Sequence, residues 1–155
     1  MLSLWSVKKT KCIIQSSKKE EFKPIRFVVP GPPRGYTTTN RYSRPSAALI
    51  RYHKYCKHVR ECAKAAGLRL PLFADKDNQL IIKTIAFFEN GVHPDPLNVN
   101  KGVGDALFYK EDRSSKNSRK GNDKQTGGVY TPPKYDKKNP RCVVIIKEYT
   151  SKDEV

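Results

Sequence analysis

A stripe of apolar residues at three- and four-residue spacing is the strongest constraint on how this chain folds. The stripe ends just before Gly67, and its members are Leu49, Tyr52, Cys56, Val59, Ala63 and Ala66. This spacing places one apolar line on a helix of 3.6 residues per turn, and a glycine past the last member is a common helix end. Ser43 and Pro45 are residues that favour a helix start. The sequence therefore predicts one long amphipathic helix.

Three runs rich in β-branched and aromatic residues predict strands, at Ile25–Val29, Gln79–Phe88 and Cys142–Tyr149. The segment Asn98–Phe108 has a helical composition despite two glycines, and its apolar side carries Val99, Val103, Ala106 and Leu107. The order strand, helix, strand, helix, strand predicts an α+β fold, in which a small mixed β-sheet packs with two main helices.

The length of the chain suits one compact domain with a modest core. We expect a basic flexible arm over residues 1–22, one domain over residues 23–150 with a basic loop inserted at residues 110–121, and a charged tail over residues 151–155. The arm has two further interpretations, as a solubilising tail or as an extra edge strand around Cys12–Gln15.

The charge balance predicts a polyanionic partner. The chain has 31 Lys and Arg residues against 15 Asp and Glu residues, a net charge of +16, and such a surplus repels itself unless a polyanion neutralises it. Nucleic acid is the favoured partner, with ribosome-like RNA binding and an anionic membrane surface as rivals. No apolar run approaches the roughly 20 residues of a membrane span. The start of the chain also lacks a signal-peptide core, so we expect a soluble, intracellular protein. The four cysteines include no CxxC pair, which argues against a zinc ribbon and a disulfide framework and favours reduced thiols.

The densest group of reactive side chains lies between His93 and Leu107. Asp95 follows a predicted strand and loop, where a carboxylate can face solvent, and Asn98, Lys101 and Asp105 share one face of the predicted helix. Carboxylate oxygens suit Mg²⁺, and a nearby lysine can stabilise charge on a phosphate. The same residues also fit a plain structural interpretation, with Asp95 as a helix N-cap and Lys101–Asp105 as an ordinary ion pair.

Several short motifs, in one shared order, resemble the RusA family of Holliday junction resolvases. The segment Asp95-Pro96-Leu97-Asn98-Val99-Asn100-Lys101 followed by Asp105-Ala106-Leu107 is similar to the family signature, D-x-D-N-(apolar)-x-K before D-A-L. Asn122-Asp123-Lys124-Gln125 resembles its D-D-x-Q segment, and Lys134-Tyr135 with Asn139-Pro140-Arg141 resembles its closing K-x-Y…P-R stretch. Val29-Pro30-Gly31-Pro32-Pro33 and Asn40-Arg41 match its opening strand and turn. The resemblance covers roughly residues 24–149.

The resemblance implies roles for particular residues. Asp95 is the first metal carboxylate, Asp123 the last, and Lys101 the basic residue beside the scissile phosphate. Asp105 is either structural or a further metal ligand, and the metal is Mg²⁺, with Mn²⁺ as a possible substitute. Contacts with DNA are expected from Asn98, Arg34, Arg41, Arg113, Lys116, Arg119 and Lys120.

Leu97 departs from the family pattern because it occupies the position of the second aspartate of the signature. Leucine cannot bind a cation, so three interpretations stay open. Another carboxylate replaces it, metal binds weakly until DNA is present, or the protein binds junctions without cutting them. The candidate replacements are Asp105, Asp112 and Glu89.

The gap between Asp105 and Asp123 is longer than the family pattern, which leaves Glu111–Asp112 as an alternative acidic pair. Asp123 is preferred because its spacing to Pro140-Arg141 fits the family better.

The implied function is a homodimeric, metal-dependent endodeoxyribonuclease that resolves branched DNA in recombination and repair, in a bacterial or phage-like cytoplasm. A dimer supplies the two-fold symmetry of a four-way junction. We expect no membrane partner and no small-molecule cofactor. Two alternatives are a non-catalytic branched-DNA-binding protein of the same fold, motivated by Leu97, and an RNA-associated structural protein, motivated by charge alone.

Overall fold

The computed structural model describes residues 22–37, 46–108 and 123–153. These residues form a mixed sheet of five strands and two α-helices, which confirms the predicted α+β class. In chain order the elements are β1 (Ile25–Pro30), α1 (Ala47–Ala65), β2 (Leu80–Phe88), α2 (Pro96–Phe108), β3 (Thr126–Tyr130), β4 (Lys134–Tyr135) and β5 (Arg141–Glu148). One-turn 3₁₀ helices lie at Asp123–Gln125 and Ser151–Asp153.

Several predicted features lie outside the described residues. They are the arm up to residue 21, the loop at residues 110–121, and the side chains of Arg41, Arg113, Lys116, Arg119 and Lys120, together with the alternative acidic pair Glu111–Asp112. Phe22, at the end of the predicted arm, is described and packs against the core.

Strand β2 is the centre of the sheet. The strand order is β1-β5-β2-β3, and β4 also pairs with β2. Strand β5 is antiparallel to β1 and β2, whereas β3 and β4 are parallel to β2. The sequence does not predict β3 or β4, because Thr126–Tyr130 contains two glycines and β4 has only two residues. Pairing with β2 provides the strand conformation that their composition does not.

The hydrophobic core lies between one face of the sheet and the two helices. Alternate residues of a strand face opposite sides of a sheet, and the core-facing set of β2 is Leu80, Ile82, Thr84, Ala86 and Phe88. Side chains of β1, β5, α1 and α2 complete the same cluster. On the other face, the Arg141 guanidinium covers the Phe87 ring, 3.8 Å from its centroid.

Helix α1 confirms the predicted amphipathic helix but not its start. Ser46, rather than Ser43 or Pro45, is the N-cap, and its hydroxyl accepts a hydrogen bond from the Leu49 N–H at 3.2 Å. A short oxygen side chain at this position satisfies an N–H that has no partner within the helix. Ala66, predicted on the buried stripe, is exposed, because the helix has already ended there. Gly67 follows with a φ of +95°, a conformation that glycine adopts readily.

Helix α2 begins at Pro96, two residues before the predicted start at Asn98. Proline suits the first position of a helix because its missing N–H would have no partner there. The Asp95 carbonyl accepts a hydrogen bond from the Val99 N–H at 3.1 Å, which makes Asp95 the residue that flanks the helix. The predicted apolar side is buried, together with Asn100, Gly102 and Phe108.

Candidate functional site

The exposed start of α2 carries three of the residues singled out in the sequence. Asp95 and Asn98 are exposed there, and Leu97 between them is 50% exposed. Asp95 ends the loop that leaves β2, as predicted, so its carboxylate faces solvent. Leu97 is therefore not a core residue, and packing does not explain why leucine stands at this position.

The proline-rich loop after β1 crosses directly over this part of α2. The Tyr36 N–H donates a hydrogen bond to the Asn98 carbonyl at 2.9 Å. A Cβ atom on Gly35 would lie 2.8 Å from the Pro94 Cβ, so only glycine allows the loop to approach this closely. The crossing places Arg34, which is exposed, in the loop segment beside the start of α2. The structure thus brings together the proline-rich segment after β1 and the segment that begins at Asp95, which are more than 50 residues apart in the chain.

Two tyrosines line the face of α2 that carries Asn98, Lys101 and Asp105. The Lys101 ammonium lies 4.2 Å from the centroid of the Tyr36 ring. Tyr36 meets Tyr52 edge-on, with centroids 5.6 Å apart and ring planes at 77°. The Tyr52 hydroxyl donates to the Asp105 carboxylate at 3.3 Å. Lys101 and Asp105 are therefore linked through the Tyr36–Tyr52 pair, and Asn98 meets the pair through its backbone carbonyl.

Tyr52 is a neutral hydrogen-bond donor in this arrangement. Burial raises the pKa of Tyr52 far above its ordinary value, and interactions with Cys56 and Asp105 raise it further. Its proton therefore remains available to the Asp105 carboxylate across the whole working pH range. Asp105 already accepts this hydrogen bond and is half-buried, whereas Asp95, just before α2, is exposed to solvent.

Asn100 is a structural residue of the site that the sequence does not reveal. It is 7% exposed, and its amide nitrogen lies within hydrogen-bonding distance of the Ile82 carbonyl (3.1 Å), the Thr84 hydroxyl (2.9 Å) and the Val129 carbonyl (2.9 Å). These contacts join α2 to β2 and to β3. The available signal was its spacing, since Asn100 is three residues before the buried Val103.

His93 holds the loop that leads to Asp95. Its ring stacks on Phe88, with centroids 4.0 Å apart and planes at 11°. Its Nδ1 lies 2.8 Å from the Pro94 carbonyl and its Nε2 lies 3.0 Å from the Tyr135 hydroxyl. A carbonyl only accepts, so Nδ1 carries a proton and the neutral ring accepts at Nε2 from Tyr135. Sequence reasoning placed His93 in the reactive group but did not assign it this contact.

The acidic residues do not form a metal site within the described side chains. No group of three His, Cys, Asp or Glu side chains lies close enough to hold a metal ion among them. Asp123 begins the 3₁₀ helix immediately before β3, but its side chain lies outside the described set. Glu89 is exposed in the loop after β2. The ligand set of Asp95, Asp123 and Asp105 therefore stays a prediction.

The described cysteines, Cys56, Cys62 and Cys142, form no disulfide. The Cys62 sulfur lies 3.9 Å from His58 Nδ1, but His58 Nε2 contacts the Pro30 carbonyl at 2.8 Å. Burial raises the pKa of Cys142 to about 12, so this thiol stays protonated at neutral pH.

A scan against models of known protein families and a search of curated proteins find no match to this chain. The resemblance to RusA nucleases therefore rests on the sequence motifs and remains a prediction. Neither helix in the described segments is long and apolar enough to cross a membrane.

Proposed function

We propose that the protein is a metal-dependent endonuclease that binds branched DNA, such as four-way junctions, and hydrolyses phosphodiester bonds as a homodimer. The observation that supports this most directly is the crossing of the Gly35 loop over α2. It brings the loop segment that contains Arg34 beside the start of α2, where Asp95 and Asn98 are exposed, in a strongly basic chain. This combination of cations and a carboxylate is the chemistry that metal-assisted cleavage of a phosphodiester requires.

Each of these side chains has a role in the proposal. Asp95 is a solvent-facing carboxylate, which is the ligand type that Mg²⁺ prefers, and it would hold the metal together with Asp123. Lys101, one turn along the exposed face of α2 from Asn98, would stabilise the charge that develops on the phosphate. Bound Mg²⁺ would supply Lewis-acid activation of the phosphate and of water.

The basic face of α1 is a second candidate for phosphate contacts. Arg51, Lys54 and Lys57 are exposed on this helix. Phosphate contacts of this kind dominate DNA affinity and release counterions. If eight phosphates are contacted, the slope of log K against log salt is about −7. A slope near zero would contradict a charge-driven interface.

A second candidate function is branched-DNA binding without cleavage. Leu97 favours it, because a half-exposed leucine beside Asp95 adds no metal ligand where the RusA pattern has an aspartate. Metal-dependent nicking separates the two candidates.

The test uses a labelled synthetic four-way junction with Mg²⁺, Mn²⁺ or EDTA. Wild type is compared with Asp95→Asn and Asp123→Asn, and with Asp77→Asn as a charge-matched control at an exposed turn before β2. Paired nicks that need metal, vanish in the first two variants and persist in the control support the nuclease. Tight junction binding without nicks under every metal supports the second candidate. Binding that does not prefer junctions over duplex DNA or folded RNA refutes both.

A further inference from the structure

We propose that Tyr36 is a positioning residue that holds the Lys101 ammonium at the phosphate-facing side of the site. The effect of Tyr36 on cleavage rests on the proposed function, but the contact between Tyr36 and Lys101 can be tested without any substrate. The Lys101 Nζ lies 4.2 Å from the Tyr36 ring centroid, which is within the range of a cation–π interaction. Lys101 is otherwise exposed, where a four-carbon side chain samples many rotamers.

Contacts of the Tyr36 backbone, of Gly35 beside it and of the Tyr36 ring fix this residue against α2 and α1, so the ring can serve as a fixed support. Its backbone N–H is bound to the Asn98 carbonyl, one helical turn before Lys101. Gly35 places the loop in close contact with Pro94. The ring meets Tyr52 edge-on, and the hydroxyl of Tyr52 is in turn bound to Asp105. Because Tyr36 and Lys101 are both anchored to α2, their relative position depends little on the rest of the loop.

The alternative role for Tyr36 is that of a surface on which an unpaired base stacks. Exposed aromatic rings in nucleic-acid-binding proteins often act in this way. In this structure the Lys101 ammonium lies over the ring and the Tyr52 ring packs against it at 77°. A base stacked on the Lys101 side would have to displace the ammonium. The contacts therefore favour support of Lys101 over base stacking.

The first experiment measures the contact in the full-length protein without DNA. The side-chain ¹H–¹³C signals of Lys101 are assigned by comparison with Lys101→Met, and recorded in wild type, Tyr36→Phe and Tyr36→Leu. An ammonium over an aromatic face shifts the Lys101 ε-CH₂ protons upfield. We expect that shift in wild type and Tyr36→Phe and its loss in Tyr36→Leu. Identical Lys101 shifts in wild type and Tyr36→Leu, with the remaining spectrum unchanged, would overturn the proposal.

The second experiment measures the consequence by a double-mutant cycle on single-turnover cleavage of the four-way junction. Tyr36→Leu should lower the cleavage rate constant by about 3- to 10-fold, the range of one cation–π contact at a partly exposed site. Tyr36→Phe should restore most of the rate. In the Lys101→Met background, Tyr36→Leu should have no further effect, since the two residues act through one contact.

The outcomes separate this inference from the proposed function. If Tyr36→Leu weakens junction affinity equally with and without Lys101, Tyr36 is a stacking residue and the inference is wrong. If wild type neither binds nor cuts junctions, the proposed function is wrong, while the Lys101 shift still decides whether Tyr36 holds the ammonium.

Discussion

Gly128→Ala should break the contacts that join α2 to the sheet through Asn100, whereas Gly127→Ala should leave them intact. A Cβ atom on Gly128 would overlap the Asn100 side-chain oxygen, closer than real Cβ atoms come to a neighbour. A Cβ atom on Gly127 would meet only the Ile81 Cγ1 at 3.8 Å, an ordinary van der Waals distance. Both glycines are exposed on β3. Gly127→Ala is therefore a matched control for Gly128→Ala.

The expected cost follows from the contacts of Asn100. Its amide nitrogen lies near the Ile82 carbonyl, the Thr84 hydroxyl and the Val129 carbonyl, and the side chain is 7% exposed. Forcing an extra methyl group into a packed site costs about 1–3 kcal/mol, and losing the buried amide contacts costs about 1–3 kcal/mol more. Replacing a glycine by alanine offsets about 0.4–1 kcal/mol by restricting the unfolded chain. We expect Gly128→Ala to lower the free energy of unfolding by about 1–6 kcal/mol.

Urea denaturation followed by far-UV circular dichroism measures both variants. Gly127→Ala should change the free energy of unfolding by less than about 1 kcal/mol. In an Asn100→Ala background, Gly128→Ala should cost much less than in wild type, because the overlapping oxygen is gone. Equal effects of the two alanines, or strict additivity of Gly128→Ala with Asn100→Ala, would refute the contact as the cause.

Three other substitutions test the site and the core. Leu97→Asp should raise metal-dependent junction cleavage by adding a carboxylate beside Asp95; unchanged Mg²⁺ affinity and unchanged activity would mean that the ligand comes from elsewhere. Burial raises the pKa of Cys142 to about 12 from 9.0, so its contribution to stability is complete below pH 9 and is lost as the pH rises towards 12. Cys142→Ala should flatten the alkaline loss by up to about 1.4 kcal/mol per pH unit in chemical denaturation, and parallel curves for the two proteins would argue against a buried thiol. His93→Phe should keep the stack on Phe88 but lose the ring hydrogen bonds to the Pro94 carbonyl and the Tyr135 hydroxyl, with hydrogen exchange at residues 89–95 rising less than in His93→Ala; equal exchange in both variants would show that the stack does not hold the loop.

Local pattern was enough to predict the elements that have a strong periodicity of their own. The stripe from Leu49 to Ala63 predicted α1, because a helix buried on one side needs an apolar residue every three or four positions. The β-branched runs predicted β1, β2 and β5. The same reasoning failed at the start of α1, where Ser46 rather than an earlier residue satisfies the first free N–H groups. It also failed for β3 and β4, whose conformation comes from pairing with β2.

For the candidate site, residue type singled out Asp95, and helical spacing predicted that Asn98, Lys101 and Asp105 share one face. The sequence could not show that Tyr36 lies under Lys101, because that contact depends on how closely Gly35 lets a distant loop approach α2. The sequence by itself determined which side chains face solvent on α2 and the net charge of +16, since both follow from local spacing and composition. Only the tertiary structure decided which distant residues support those side chains, because close packing depends on the shapes of segments that meet after folding.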